Sequence, residues 1–276
     1  MVRRTSRRDD GRRDGSNTST TTRRRLLGAV GTGILAGLGG CVDGVLGRSS
    51  IDTGRAIRDS ITVSFDGTTA TVQYGVPAAT YQAARDRDAV VSSAAAAART
   101  ADFLDDLAAR LRERADSPAA GVRAAQSLTA ALTYVTDAAS TGEREYIRHP
   151  AETLVDGEGD CDDKAVLLSA LLSRPAFGYR AGLVMPRDHC ATLVARDDLP
   201  SGLCATPLAV RLHGTEFVYV EAVQRVTPGE SAMDYGERSL LAAYRDRWYI
   251  LDESAVLNES IKTVSRGATK IVSRLF

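Results

Sequence analysis

Lysine is nearly absent from this chain: only Lys164, Lys262 and Lys270 among 35 basic residues, set against 35 acidic ones for a formal net charge of zero. That neutrality hides an uneven distribution. Residues 1–40 hold nine Arg and three Asp, a net of +6, which leaves residues 41–276 with 26 basic and 32 acidic groups, a net of −6 by subtraction. A mildly acidic body is repelled by phosphate backbones, so no nucleic-acid partner is expected. Cysteine is scarce as well. The four, at 41, 161, 190 and 204, include no Cys-x-x-Cys pair, which argues against a structural zinc site and a dense disulfide framework. The apolar stretch from Leu26 to Gly40 has 15 residues and six glycines. It falls short of the roughly 20 residues a membrane-spanning helix needs. No internal repeat is visible, which excludes a solenoid. The whole chain is 43% hydrophobic, enough for a substantial core.

Residues 1–22 are polar, Arg-rich and low in complexity, and they lead into Thr22-Arg23-Arg24-Arg25-Leu26-Leu27. This run, with the weakly apolar stretch behind it, resembles a twin-arginine export signal carried by Arg23 and Arg24. Leu38-Gly39-Gly40-Cys41 resembles a lipobox, in which Cys41 is lipidated and becomes the new N-terminus. The likeness implies a signal peptide over 1–40, a Gly- and Ser-rich tether over 41–59, and a domain exported in the folded state. The expected location is the outer face of the cell membrane, held by lipid.

Residues 61–74 alternate apolar and polar side chains around Asp66-Gly67, the dipeptide of a type I′ turn, so a β-hairpin is expected there, closed by Pro77. One or two helices are expected over 79–115. Ser117-Pro118 then supplies an N-cap and an N1 proline for a helix to about Asp137. Residues 160–172 are apolar on nearly every side after the first turn, which predicts a buried central helix stopped by Pro175. Short β-rich runs follow at 181–185, 190–195, 208–212, 217–222 and 248–251. The order indicates an α+β domain over about 60–256 with an antiparallel sheet. Cys190 and Cys204 flank an apparent strand–turn–strand, where they either form a disulfide or stay two buried thiols.

Cys161 falls in the first turn of the central helix, behind Gly157, Gly159 and the N-cap residue Asp160, with Asp163 three residues past that cap. Unpaired N–H groups and the positive end of the helix dipole favour a thiolate and an oxyanion there. Asp160, Asp162 and Asp163 oppose the thiolate, so it needs a cationic partner. Of the three histidines, His149 reads as a loop residue beside Pro150, and His213 as part of a hairpin turn before Gly214. His189 opens a β-run 28 residues after the cysteine, a return path long enough to bring its imidazole to the helix N-terminus.

Gly-Asp-Cys-Asp-Asp-Lys-Ala at 159–165, Asp188-His189, Tyr219-Val220-Glu221-Ala222 and Pro150-Ala-Glu-Thr-Leu154 resemble the transglutaminase-like superfamily, over about 118–225. The resemblance implies a papain-like core, a central Cys-bearing helix packed on an antiparallel sheet behind the N-terminal hairpin and helices. It also implies Cys161 as nucleophile, His189 as general base and acid, and Glu221 as the group that orients the imidazole. Glu221 departs from the usual aspartate of the superfamily, and Asp252, in Trp248-Tyr-Ile-Leu-Asp, is the alternative third member. The implied activity is attack on an amide or peptide bond of a protein or peptide substrate through an acyl-thioester, with hydrolysis favoured over transfer. No metal or organic cofactor is implied. A catalytically silent binding module on the same fold is the rival reading. At the C-terminus, Lys262, Arg266, Lys270 and Arg274 recur every four residues, so 257–276 can form a basic amphipathic helix, either a second membrane anchor or a tail packed on the acidic domain.

Overall fold

The computed structural model describes residues 54–185, 189–204, 207–212, 214–233, 240–244 and 248–251. Expectations for Arg23, Arg24, Cys41, Asp188, His213, Asp252 and the basic tail lie outside them.

The hairpin pairs β1 (Ala56–Phe65) with β2 (Thr68–Pro77) antiparallel, Phe65 opposite Thr68. Asp66 and Gly67 form its two-residue turn at φ +50° and +76°, the double positive φ a type I′ turn demands. Val63, Phe65, Val72, Tyr74 and Val76 alternate onto the buried face. Three helices follow where one or two were expected: α1 (Ala78–Arg85), α2 (Val91–Arg99) and α3 (Phe103–Glu113). Local propensity is continuous through this Ala-, Arg- and Asp-rich run, and tertiary packing decides where it breaks. Ser117 caps α4 (Pro118–Ala131) by accepting the Ala120 N–H at 3.1 Å. That helix stops six residues short of Asp137, because Leu132 turns extended and leads into β3 (Thr133–Tyr134). β3 pairs in parallel with β4 (Glu158–Gly159), Tyr134 opposite Gly159. Between them lie α5 (Asp137–Ser140) and α6 (Pro150–Asp156), which His149 precedes as a non-helical cap residue, in keeping with its reading as a loop position.

The central helix, α7 (Cys161–Ser173), is buried at every position from Asp162 to Leu172. Helices α2, α3, α4 and α6 pack on it, as do strands β5 (Ala181–Met185) and β6 (Ala191–Ala195). These strands belong to a sheet ordered β10-β9-β5-β6-β8-β7, with β7 Ala209–Leu212, β8 Thr215–Val220, β9 Leu240–Tyr244 and β10 Trp248–Leu251, every neighbour pair antiparallel. The fold is α+β: a hairpin, then helices, then an antiparallel sheet. Strand β9 had no counterpart in the sequence reading.

Candidate active site

The start of α7 is built by a close approach that only glycine permits. A Cβ on Gly159 would lie 2.7 Å from Asp163 Cβ and 2.8 Å from its Oδ2. Without that Cβ, Asp163 reaches back to accept the Asp160 N–H at 3.2 Å, while Asp160 accepts the Asp162 N–H at 3.3 Å. These contacts satisfy orphan donors of the first turn and set the position of Cys161. Arg148 clamps the far side of Asp163 through its backbone N–H at 2.6 Å and its Nη1 at 3.0 Å.

The electrostatic surroundings of the Cys161 thiol include the backbone N–H groups of Cys190 and of Cys161 itself, which work to lower its pKa, and the Tyr134 hydroxyl. Cys190 directly follows His189, so the bearing of its N–H on the thiol sets the strand-entry segment that carries His189 near the first turn of α7. Tyr134 is brought there by its pairing opposite Gly159. Lys164, one turn into α7, holds the same segment by donating to the Leu132 carbonyl at 2.8 Å and lying 5.5 Å from the Tyr134 ring centre.

His189 Nε2 lies 3.1 Å from Glu221 Oε1, and both side chains are buried, 3% and 0% exposed. Glu221 follows the last residue of β8. Its Oε1 also accepts the Ala222 and Val223 N–H groups at 3.0 and 3.3 Å, and its Oε2 accepts the Tyr219 hydroxyl at 2.9 Å and the Ala232 N–H at 3.4 Å. Burial works to raise its pKa, yet the His189 and Tyr219 hydrogen bonds, the His189 charge and the Val223 N–H together hold it below the ordinary carboxylate value. An ionised Glu221 requires Nε2 to carry a proton and assigns that tautomer.

Electrostatics at the sulfur run against the expected thiolate. Burial, followed by the charges of Asp162 and Asp160, pushes the Cys161 thiol up to about 12, and the two N–H donors offset only part of this. Burial and hydrogen bonding to Asp160 lift Asp162 to about 10. Burial and the Asp160 charge raise Asp163 to about 7 against the opposing Arg148 contacts. Burial lowers Lys164 to about 8. The helix N-terminus therefore holds a neutral thiol at rest, because loss of water around it outweighs a few N–H dipoles.

His149 stands apart from this site. It precedes α6 with its Nε2 3.3 Å from the Asp88 carbonyl. Cys190 and Cys204 are free thiols, the first buried and the second half-buried. The strand after Cys190 takes β5 and β8 as its neighbours, not the segment holding Cys204. A cleft of about 610 Å³ between the hairpin tip and residues 225–228 reaches neither Cys161 nor His189. Its lining residue Gln126 touches the back of the site by donating to the Glu221 carbonyl at 3.0 Å.

Sequence reading passed over Tyr134, Tyr219 and Arg148. Tyr219 sits two residues before Glu221 in a segment that was singled out, whereas Tyr134 depends on the two-residue β3–β4 pairing, which leaves no pattern in the sequence. Among the described residues, two groups of side chains could hold a metal ion: Asp160, Cys161 and Asp162, and Asp137, Asp160 and Asp163, with ligand atoms within 4.8 Å of one another in each. No family model matches this chain, and no curated protein or solved structure matches it.

Proposed function

We propose that the protein is an exported, lipid-anchored cysteine enzyme of the transglutaminase-like type, with a papain-like core, that cleaves amide or peptide bonds through an acyl-thioester. The observation that carries this reading is the Glu221–His189 pair joined to Cys161 through the neighbouring Cys190 N–H. Because the thiol is neutral at rest, the reaction starts as general-base catalysis. His189 Nδ1 takes the thiol proton as sulfur attacks the carbonyl carbon, and Glu221 stabilises the imidazolium that forms. The tetrahedral oxyanion falls among the Cys161 and Cys190 N–H groups and the Tyr134 hydroxyl. Collapse expels the amine, protonated by His189, and leaves the acyl-thioester. Water, activated by the same imidazole, releases the acid; hydrolysis needs no second amine site, which is why it is favoured over transfer.

A second reading, a silent binding module on the same scaffold, is favoured by one observation, the thiol pushed up to about 12 beside two aspartates. Alkylation with iodoacetamide followed by peptide mapping separates them. The enzyme requires Cys161 to label faster than the other thiols and His189→Ala to abolish that advantage. Uniformly slow labelling of all thiols, unchanged by His189→Ala, would leave only the silent module.

A further inference from the structure

We propose that the cleft between the hairpin tip and residues 225–228 binds the C-terminus of a peptide, taking its carboxylate together with an adjoining amide N–H. The cleft has a volume of about 610 Å³, within the roughly 300–1,000 Å³ of small-ligand sites. The argument turns on its lining residue Gln126, which is 2% exposed. Nε2 of Gln126 donates to the Glu221 carbonyl at 3.0 Å and to the Val226 carbonyl at 2.9 Å, so both amide hydrogens are used and the orientation of the amide is fixed. Its Oε1 accepts no hydrogen bond from a described residue, yet it is not sealed in. The enclosed side-chain atoms without a partner among the described residues are Asp137 Oδ1, His149 Nδ1 and Ser169 Oγ. A carbonyl oxygen on a side chain buried this deeply therefore opens into the cleft that Gln126 lines, where it calls for a donor.

Charge supplies the second half of the site. Arg123 is already taken, because its Nε and Nη2 hold the two carboxylate oxygens of Asp66 at 2.5 and 2.7 Å. Arg225 has no acidic partner among the described residues. Its Nη1 donates to the Ser64 carbonyl at 3.0 Å, which anchors the guanidinium to the hairpin and leaves Nε and Nη2 as a planar fork for a carboxylate. Two arginines against one aspartate make this lining positive on a body that is acidic as a whole. Cation and acceptor are close together, since Gln126 holds the carbonyl of Val226, the residue next to Arg225. Sulfate brings no donor to Oε1, and an ammonium group is repelled by Arg225. A peptide C-terminus brings an anion and an N–H within one residue. This site goes beyond the proposed amide cleavage, because it holds a chain end away from the atoms that would react at Cys161.

The test is a ligand-observed NMR titration of the purified full chain with three probes: acetyl-Ala-Ala-Ala, its C-terminal amide, and the acid N-methylated at its last residue. The acid is expected to bind with a Kd of about 1 mM or tighter. It should bind about tenfold more tightly than the amide, which lacks the charge that Arg225 receives. N-methylation, which removes the donor for Gln126 Oε1, should weaken the acid about fivefold. Arg225→Gln should melt as wild type does and bind acid and amide equally. If that variant does not fold, the three wild-type titrations decide. No binding of the acid at about 10 mM, equal binding of acid and amide, no effect of N-methylation, or an undiminished preference for the acid in Arg225→Gln each overturns the proposal. The titrations read binding alone, so this proposal and the proposed amide cleavage fail separately.

Discussion

Cys161 is half-buried and Glu221 fully buried, and they meet opposite electrostatic fates, because one gathers few donors and the other several. Cys161→Ser is expected to keep the fold, measured by an unchanged melting curve, and to lose amide cleavage altogether, since a hydroxyl at this position is far harder to deprotonate than a thiol. If the variant instead unfolds, the sulfur is a packing group and the mechanism loses its main support. Glu221→Gln should cost about 1–3 kcal/mol at pH 7, because the amide replaces one acceptor by a donor facing groups that already donate. Its pH dependence has a definite sign. The folded-state pKa of Glu221 lies below the ordinary value of 4.5, so its stabilisation is complete above that value and fades as pH falls through the lowered folded pKa. Chemical denaturation at pH 6 and pH 3 should therefore show the gap between wild type and Glu221→Gln shrinking in acid; a gap that widens would contradict the hydrogen-bond accounting at Oε1 and Oε2.

Among the elements, the start of α7 depends most on a single backbone position. Gly159→Ala places a methyl carbon 2.7 Å from Asp163 Cβ, which forces apart the capping contact that sets Cys161. The expected loss is about 1–3 kcal/mol in urea unfolding, together with slower Cys161 alkylation. Gly142→Ala is the control: Gly142 has φ +81° and open space around its Cβ, so it should cost about 1 kcal/mol and leave alkylation unchanged. Equal effects on the thiol would mean that the cap does not position it. Much of this element was legible in the sequence. Glycines, an Asp cap and a continuous apolar run announce a buried helix without tertiary information, just as Asp66-Gly67 announces the hairpin. The breaks between α1, α2 and α3 were not legible, because no Gly or Pro marks residues 86–90 or 100–102. Strand β9 lacked an alternating pattern, and β3 and β4, at two residues each, are too short to show a period.

Across the whole molecule, the described residues contain no helix long and apolar enough to cross a membrane, so the proposed attachment rests on residues 1–41 and on the basic tail. Cys41→Ala is expected to move most of the protein from the membrane to the soluble fraction, and a Lys pair at 23 and 24 should block export. Unchanged membrane retention with unchanged mobility would remove the lipid from the account. Deleting residues 260–276 from Cys41→Ala distinguishes the two readings of the tail. Loss of residual, salt-sensitive liposome binding identifies an anchor, and a lowered melting temperature with the same binding identifies a packed tail.

The sequence by itself determined which segments are helical or extended where turn chemistry and periodicity agree, and it marked Cys161 and His189 as chemically distinct positions, with Glu221 added only by resemblance. Those signals are local: a cap, a glycine, an alternation of apolar residues. Only the tertiary structure decided what surrounds them. It pairs Tyr134 opposite Gly159 through a two-residue strand, surrounds Glu221 with donors from residues up to 32 positions away, and lets burial outweigh the helix dipole at Cys161. Desolvation and long-range pairing depend on which distant atoms exclude water from a site, and no local pattern in the chain encodes that.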